Sequence, residues 1–271
     1  MEPLILPAGI ALHGSTGGIT VLMVEVPAEL LELTRGAARI SVLTGAGMSA
    51  ESGVPTFRDA QDGLWAQYDP MTLATPEAFA DQPDLVWAWY AWRRHLMTTI
   101  EPHAGHRALT RWGEHAAVEV ITQNVDDLHE RAGHHVLAHL HGSLFSLRCF
   151  DCDLPYDMPV EVPTQQVERL EPPLCPACLG HIRPDIVWFG EPLPVPAFER
   201  AEQSVTEADL VLVIGTSGAV FPAAGLPLLA RANGVPTVEI NPVPTELSHE
   251  TTLNWRITAG AGLPALVSAL G

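Results

Sequence analysis

The chain contains four cysteines, and they fall into two pairs, Cys149-x-x-Cys152 and Cys175-x-x-Cys178, with 22 residues between the pairs. Each pair can present two thiolates to one ion, and two such knuckles complete the tetrahedron that Zn²⁺ prefers. An iron–sulfur cluster, disulfides or unpaired core thiols would use the same residues, and the interval slightly exceeds the usual zinc-ribbon spacing. Zinc fits best because it accounts for all four cysteines and leaves none as a nucleophile. Four thiolates leave no open position for water, so such an ion braces the fold and takes no part in chemistry.

A second chemical signal is the stretch Thr44-Gly45-Ala46-Gly47-Met48-Ser49-Ala50-Glu51-Ser52-Gly53, which directly follows an apolar run. Glycines let backbone N–H groups approach a pyrophosphate, and the N-terminus of a following helix favours negative charge. A tight strand-to-helix turn would need the same glycines, so the loop is ambiguous by itself. Its third glycine comes too late for the G-x-G-x-x-G fingerprint, and no clear acidic ribose ligand follows about 20 residues on. An ordinary hydride-transfer dehydrogenase is therefore disfavoured.

These groups need elements to hold them. Apolar runs at Arg39–Leu43, Val118–Thr122, Asp209–Ile214 and Thr237–Ile240 alternate with helix-like stretches, which predicts an α/β fold with a parallel sheet. Each run ends in small or polar residues: Gly45-Ala46-Gly47, Gln123-Asn124-Val125-Asp126, Gly215-Thr216-Ser217 and Asn241-Pro242. Ligands of open α/β sheets bind beyond the carboxyl ends of the strands, so these tips describe one cleft. Residues 60–100 read as helical, with Trp65, Trp87, Trp89 and Trp92 on a crowded apolar face, and residues 146–186 carry the cysteines and many prolines. Both are expected to be inserts that build a smaller domain, leaving 26–59, 101–145 and 187–271 for the large one. Residues 1–25 are expected to form a weakly ordered extension.

Composition narrows the partners. Of 271 residues, 47% are hydrophobic and 17% charged, so a sizeable core is expected. The net charge is −18, from 14 basic residues, all arginine, against 32 acidic ones. Nucleic acid is a poor partner for such a surface. No apolar run of about 18 residues is present, so no membrane span is expected. Close-paired cysteines without a basic region ahead of the apolar Leu4–Leu12 point to the cytoplasm. A non-enzymatic zinc-ribbon module is the bland alternative to an enzyme.

The glycine loop continues as Ser52-Gly53-Val54-Pro55-Thr56-Phe57-Arg58 and Gly63-Leu64-Trp65. Thr122-Gln123-Asn124-Val125-Asp126-Asp127-Leu128-His129, Leu140-His141-Gly142-Ser143-Leu144, Val187-Trp188-Phe189-Gly190-Glu191 and Gly215-Thr216-Ser217 follow in that order. As a set, from about residue 28 onward, the chain resembles the sirtuins. The resemblance implies a Rossmann-like large domain, a smaller zinc-binding and helical domain, and a cleft between them. It implies an NAD-dependent protein-lysine deacylase that consumes NAD as co-substrate and releases nicotinamide and O-acyl-ADP-ribose. A protein ADP-ribosyltransferase on the same scaffold is the alternative.

Carried over residue by residue, the resemblance makes His141 the general base for a ribose hydroxyl, a role suited to its ordinary pKa. Asn124 and Asp126 would hold the nicotinamide amide and the nearby ribose or water, although Asp126 could equally cap the following helix. Gly45, Ala46, Gly47, Ser49, Ala50, Phe57 and Arg58 would form the cofactor loop, with Phe57 shielding C1′ and Arg58 offsetting phosphate charge. Gln123, Gly215, Thr216, Ser217 and Asn241 would bind phosphates and the adenosine ribose, with Ala259 near the adenine. Val187, Phe189, Gly190 and Glu191 on one side and Val220 on the other would hold an acylated-lysine peptide as an added strand. A monomer is expected.

Ala74-Thr75-Pro76 and Trp89-Tyr90-Ala91-Trp92-Arg93 resemble class III sirtuins, whose acyl pocket carries a Tyr-x-x-Arg pair and a small alanine. Tyr90 and Arg93 share a helix face at that spacing. A phenol and a guanidinium fork would receive the carboxylate of succinyl- or malonyl-lysine, and Ala74 would leave it room. Removal of acetyl groups is expected beside it.

Overall fold

The structure is a computed structural model, and it describes residues 10–11, 23–55 and 63–271. Its strands in chain order are β1 (Ile10–Ala11), β2 (Met23–Val24), β3 (Arg39–Thr44), β4 (Ala117–Thr122) and β5 (Val136–His139), then β6 (Gly142–Cys149), β7 (Ile182–Ile186), β8 (Leu210–Ile214), β9 (Thr237–Ile240) and β10 (Leu253–Trp255). Six of them form one sheet in the order β10-β9-β8-β3-β4-β5, and every neighbouring pair is parallel. The four strands legible as apolar runs stand together in its middle. The edge strands β5 and β10 were not expected; both are short, and their exposed positions dilute the apolar signal.

β8 shows why these strands read as runs and not as alternations. All five of its residues are buried. Leu210, Leu212 and Ile214 face a core shared with the helices Ala28–Gly36, Ala104–Gly113 and Ala259–Leu270. Val211 and Val213 face a second core, under the helices Val195–Glu207 and Leu226–Ala232. Helices on both faces are what a parallel sheet requires, and each aliphatic side chain so buried contributes roughly 1.5–3 kcal/mol.

A third core lies outside the sheet. It joins Trp65, Phe79, Trp87, Trp89 and Tyr90 of the helical insert to Leu144, Cys149, Ile182 and Trp188. The helices Pro70–Leu73, Pro76–Asp81 and Pro83–Thr99 each begin on proline, whose missing N–H costs nothing at that position. Asp69 and Thr75 cap the first two by accepting from Met71 N and Ala78 N. The second insert supplies the antiparallel pair β6–β7. The chain between the knuckles straps back over the first insert: Arg169 donates to both carboxylate oxygens of Asp84 at 2.9 Å, and Leu170 N to the Asp84 carbonyl at 3.0 Å.

The passage between cores is abrupt. Leu140 belongs to the core under the sheet and Leu144 to the insert core, so the chain crosses at His141-Gly142. The expected boundary at 145/146 therefore falls inside β6. Gly142 has φ +73°, and a Cβ there would sit 2.0 Å from the Asp185 carbonyl oxygen, so only glycine fits this crossing. At the other end of the chain, β1 pairs with β2, and Val24 packs against the first core.

Candidate active site

Beyond its last regular residue, each sheet strand is tied to its neighbour's tip. Gly45 N donates to Ile214 O (3.0 Å), Gly215 N to Ile240 O (3.2 Å), Gln123 N to Thr44 O (2.9 Å), Leu140 N to Thr122 O (2.8 Å) and Asn241 N to Trp255 O (3.2 Å). The polar tips expected to share a cleft are thus aligned along one edge of the sheet. They meet at β3, where the chain, having run through β4 and β5 on one side, resumes at β8 on the other, the switch point at which such folds bind ligands.

The glycine loop has a structural reason for its composition. Gly47 N donates to Gly215 O at 2.7 Å, and a Cβ on Gly215 would fall 2.4 Å from Met48 N. Two backbones touch here, a contact that leaves no space for side chains on either. Ala46 and Ala50 are exposed on the short helix that follows, whereas Ser49 is buried. Phe57 and Arg58 lie outside the described residues.

Ser49 links the two polar residues after β4. Asn124 Nδ2 donates to Ser49 Oγ (2.9 Å) and to the Gly45 carbonyl (3.0 Å), and Ser49 Oγ donates to Asp126 Oδ2 (2.8 Å). Asp126 also accepts from Leu128 N at 3.1 Å, so it caps the next helix as well as joining this network. Both Asn124 and Asp126 are buried. Burial pushes the Asp126 carboxyl above its usual range, against the opposing pull of the Ser49 hydroxyl.

His141 is half-buried, and its Nδ1 lies 2.9 Å from the Gln123 carbonyl oxygen. A carbonyl only accepts, so Nδ1 carries the proton and the Nε2 lone pair is left as the base. Burial holds the imidazole below its ordinary pKa, with the Gln123 contact acting in the other direction. The ring is therefore neutral near pH 7. Its own carbonyl accepts from Val187 N at 2.9 Å, which ties the base to the expected peptide edge.

Gly215, Thr216, Ser217 and Asn241 line an open cleft of about 850 Å³, together with Val243, Thr245 and Glu246. Gln123 Nε2 reaches Thr216 Oγ1 at 3.3 Å. Ala259 is only 4% exposed and packs into the first core, apart from the residues lining this cleft.

At the expected peptide edges, Phe189 and Val220 are both exposed. Phe189 N donates to the Ala74 carbonyl at 3.0 Å, tying the stretch after β7 to the helical insert. Glu191 turns its carboxylate away from solvent, onto Arg183 (2.5 and 2.9 Å) and Trp188 N (2.8 Å). Its side chain is thus spent on the scaffold, while Gly190 adopts φ +91° beside it. Tyr90 is buried, and its hydroxyl accepts from Trp188 Nε1 at 2.9 Å. Burial pushes its phenol up to about 12 despite the opposing charge of Arg93. Arg93 is half-buried with its guanidinium over the Trp89 ring, 4.9 Å from the centroid. Ala74, Phe189, Trp188, Tyr90 and Arg93 are thus joined in one chain of contacts.

The four cysteines converge. Their Sγ atoms all lie within 4.8 Å of one another, with Cys149–Cys178 at 3.4 Å, Cys152–Cys178 at 3.5 Å and Cys152–Cys175 at 3.8 Å. A zinc tetrahedron with bonds of about 2.3 Å has edges of about 3.8 Å, so the set fits that ion. Backbone N–H groups of Asp151, Ala177 and Gly180 point at the sulfurs from 3.4 Å, which favours thiolates. All four are free thiols and none is in a disulfide.

Sequence reasoning missed the hub residue, Trp188. Its indole lies under Arg183 at 3.3 Å and holds Tyr90, 98 residues away in the chain. A contact that distant leaves no local pattern. It also missed the edge-to-face cluster of His103, His106 and His129, with successive ring centroids 4.3 and 4.9 Å apart and His106 and His129 buried.

The sequence profile of the Sir2 family matches residues 45–222. An NAD-dependent protein deacylase of Mycobacterium tuberculosis (strain H37Rv) is 53% identical over 233 residues, covering 86% of this chain and 98% of that one. The structure of a Sir2 homologue in complex with NAD superposes with a TM-score of 0.82 at 40% identity, covering 97% of each chain. A Sir2 protein with a p53 peptide and NAD⁺ superposes at 0.75 and 30% identity, covering 89% of this chain and 97% of that one.

Proposed function

This chain belongs to the Sir2 family, and from that premise we propose that it is an NAD-dependent protein-lysine deacylase that removes succinyl and malonyl groups, with acetyl groups beside them. The observation that carries the acidic-acyl reading is the chain of contacts from Ala74 through Phe189 and Trp188 to Tyr90 and Arg93, fixed by the Trp188 Nε1–Tyr90 bond of 2.9 Å. NAD supplies a nicotinamide–ribose bond whose cleavage exposes C1′ to the acyl oxygen. The Nε2 atom of His141 takes the proton from the ribose hydroxyl. Asn124 and Asp126, held by Ser49, orient the nicotinamide end and a water. Thr216, Ser217 and Asn241 receive phosphate and adenosine. An acylated peptide enters as an added strand beside Phe189-Gly190 and Val220.

One zinc bound to Cys149, Cys152, Cys175 and Cys178 braces the smaller domain. Among the described residues no helix is long and apolar enough to cross a membrane. We read the protein as a cytoplasmic monomer that does not bind nucleic acid, on its free thiols and its net charge of −18.

The test follows nicotinamide release from acetyl- and succinyl-lysine peptides, with mass spectrometry of the products. Succinyl removal yielding O-succinyl-ADP-ribose, abolished in His141→Ala without loss of the thermal transition, is the expected result. ADP-ribose transferred onto the peptide would point to the transferase alternative, which the relatives' deacylase assignment disfavours.

A further inference from the structure

Glu239 is the penultimate residue of β9, and it is buried. A buried carboxylate is costly unless its lone pairs are filled. Here the hydroxyl of Thr245, the hydroxyl of Ser248 (2.7 Å) and the guanidinium of Arg256 meet on it. Arg256 carries a second set of bonds. Its Nη2 donates to Ser248 Oγ and Asn254 Oδ1, both at 2.8 Å, and its Nη1 to the Val243 carbonyl at 3.2 Å. That same carbonyl accepts from Asn241 Nδ2 at 2.7 Å. The loop 241–248 is thereby laced from behind to one ion pair. In front, Glu246 N donates to Ser217 O at 3.3 Å and the Leu247 side chain lies against Gly218. Asn241, Val243, Thr245 and Glu246 form one wall of the cleft, and Thr216 and Ser217 face them.

Glu239 cannot touch a ligand in that cleft, yet the side-chain bonds that hold Thr245, Ser248 and the Val243 carbonyl from behind converge on it and on Arg256. We propose that Glu239, with Arg256, is the positioning residue for the adenosine half of NAD, holding Asn241 and the loop 241–248 in their binding arrangement before the cofactor arrives. This rests on assigning the cleft to NAD. A carboxylate suits the task because one group can collect two hydroxyls and a guanidinium, and charge-assisted bonds are the strongest available to a short loop.

The test uses the intact protein. Glu239→Gln keeps the shape and removes the charge, while Ser248→Ala deletes one hydroxyl and leaves the ion pair in place. In Glu239→Gln the KM for NAD should rise about tenfold, a shift of about 1.4 kcal/mol, with a smaller rise in Ser248→Ala. The kcat at saturating NAD and the KM for the acyl peptide should hold within about twofold. ADP-ribose, titrated alone, should weaken by the same about tenfold factor, and amide exchange across residues 243–248 should speed up in the unliganded protein. Asn241→Ala serves as the reference. If it weakens ADP-ribose binding while neither variant does, the positioning role is overturned. If Asn241→Ala changes nothing, the assignment of the cleft to the cofactor has failed, and the inference falls with it. Parallel losses of kcat, peptide affinity and melting temperature would reduce Glu239 to a fold residue and equally overturn the proposal.

Discussion

Arg93 stands with the Trp89 ring beneath its guanidinium and close enough to the Tyr90 phenol to oppose the rise of its pKa. Arg93→Met keeps length and helix propensity but leaves an incoming carboxylate without its cation. An unpaired charge in a partly dry pocket costs roughly 3–5 kcal/mol, so kcat/KM for succinyl-lysine should fall about 10²- to 10³-fold. Acetyl-lysine turnover should stay near its starting value, and equal losses on both would remove Arg93 from the pocket. Tyr90→Phe should behave differently, since it also strands the Trp188 N–H; a lower melting temperature is expected beside the weaker selectivity. For His141, burial places the folded pKa below about 6.5, so the acid limb of kcat/KM should lie under that value. A limb at or above pH 7, measured with free enzyme and subsaturating NAD, would contradict the neutral-base assignment. His141 and the cysteines were legible because short motifs carry them. Ser49 stood in the glycine loop, but its bridging of Asn124 and Asp126 depends on how two strand tips are placed side by side.

The two knuckles and the strap between them behave as one element. Asp153 (φ +58°) and Leu179 (φ +64°) follow the second cysteine of each knuckle, and both occupy a conformation that glycine adopts more readily. Leu179, which is 72% exposed, gives up little packing if replaced. Leu179→Gly should raise the melting temperature slightly, a gain of up to about 1 kcal/mol, checked by calorimetry on zinc-loaded protein; a clear loss would refute local strain. Removing the metal with a chelator, or replacing Cys178 by serine, should free the segment 153–174 and with it the Asp84 end of the helix Pro83–Thr99. Limited proteolysis should then cut within the strap, and succinyl-lysine affinity should drop before NAD affinity does. The cysteine spacing announced the ion in advance. It did not announce where the long interval goes, because Gln166, Arg169 and Leu170 are anchored to residues of the other insert. β5 and β10 escaped for a related reason: edge strands of three or four residues owe their conformation to the neighbour they pair with.

Across the whole molecule, acid should be the weak point. Neither ring nitrogen of His106 has a hydrogen-bond partner among the described residues, and Nδ1 of His129 has none either. Burial, reinforced at His106 by His129, His103 and Arg107 and opposed at His129 by Glu130, holds His106 down at about 2 and His129 at about 3. Unfolded, both would titrate near 6.5, so below that pH the unfolded chain binds more protons than the folded one. Stability should therefore be level above about pH 6.5 and fall by up to about 1.4 kcal/mol per pH unit for each histidine as the pH drops toward 3. Urea melts from pH 7.5 to 5 would show this, and His106→Leu should flatten the slope; an unchanged slope would clear the cluster of responsibility. The parallel sheet was legible as a class, since four apolar runs with polar ends admit few other folds, but its strand order was not.

That order has a consequence for how the chain is made. β3 lies at the centre of the sheet with β4 on one side and β8 on the other. It is the first strand of that sheet in chain order, and its second neighbour begins only at Leu210. At roughly 5–20 residues per second, a ribosome reaches that neighbour some 10–30 s after finishing β3. Throughout that interval one edge of the central strand has its amides and carbonyls unmet, on a nascent chain already carrying β4 and β5. Translation pauses before residue 210 should therefore favour capture by chaperones or misassembly, and pauses after Ile214 should be harmless.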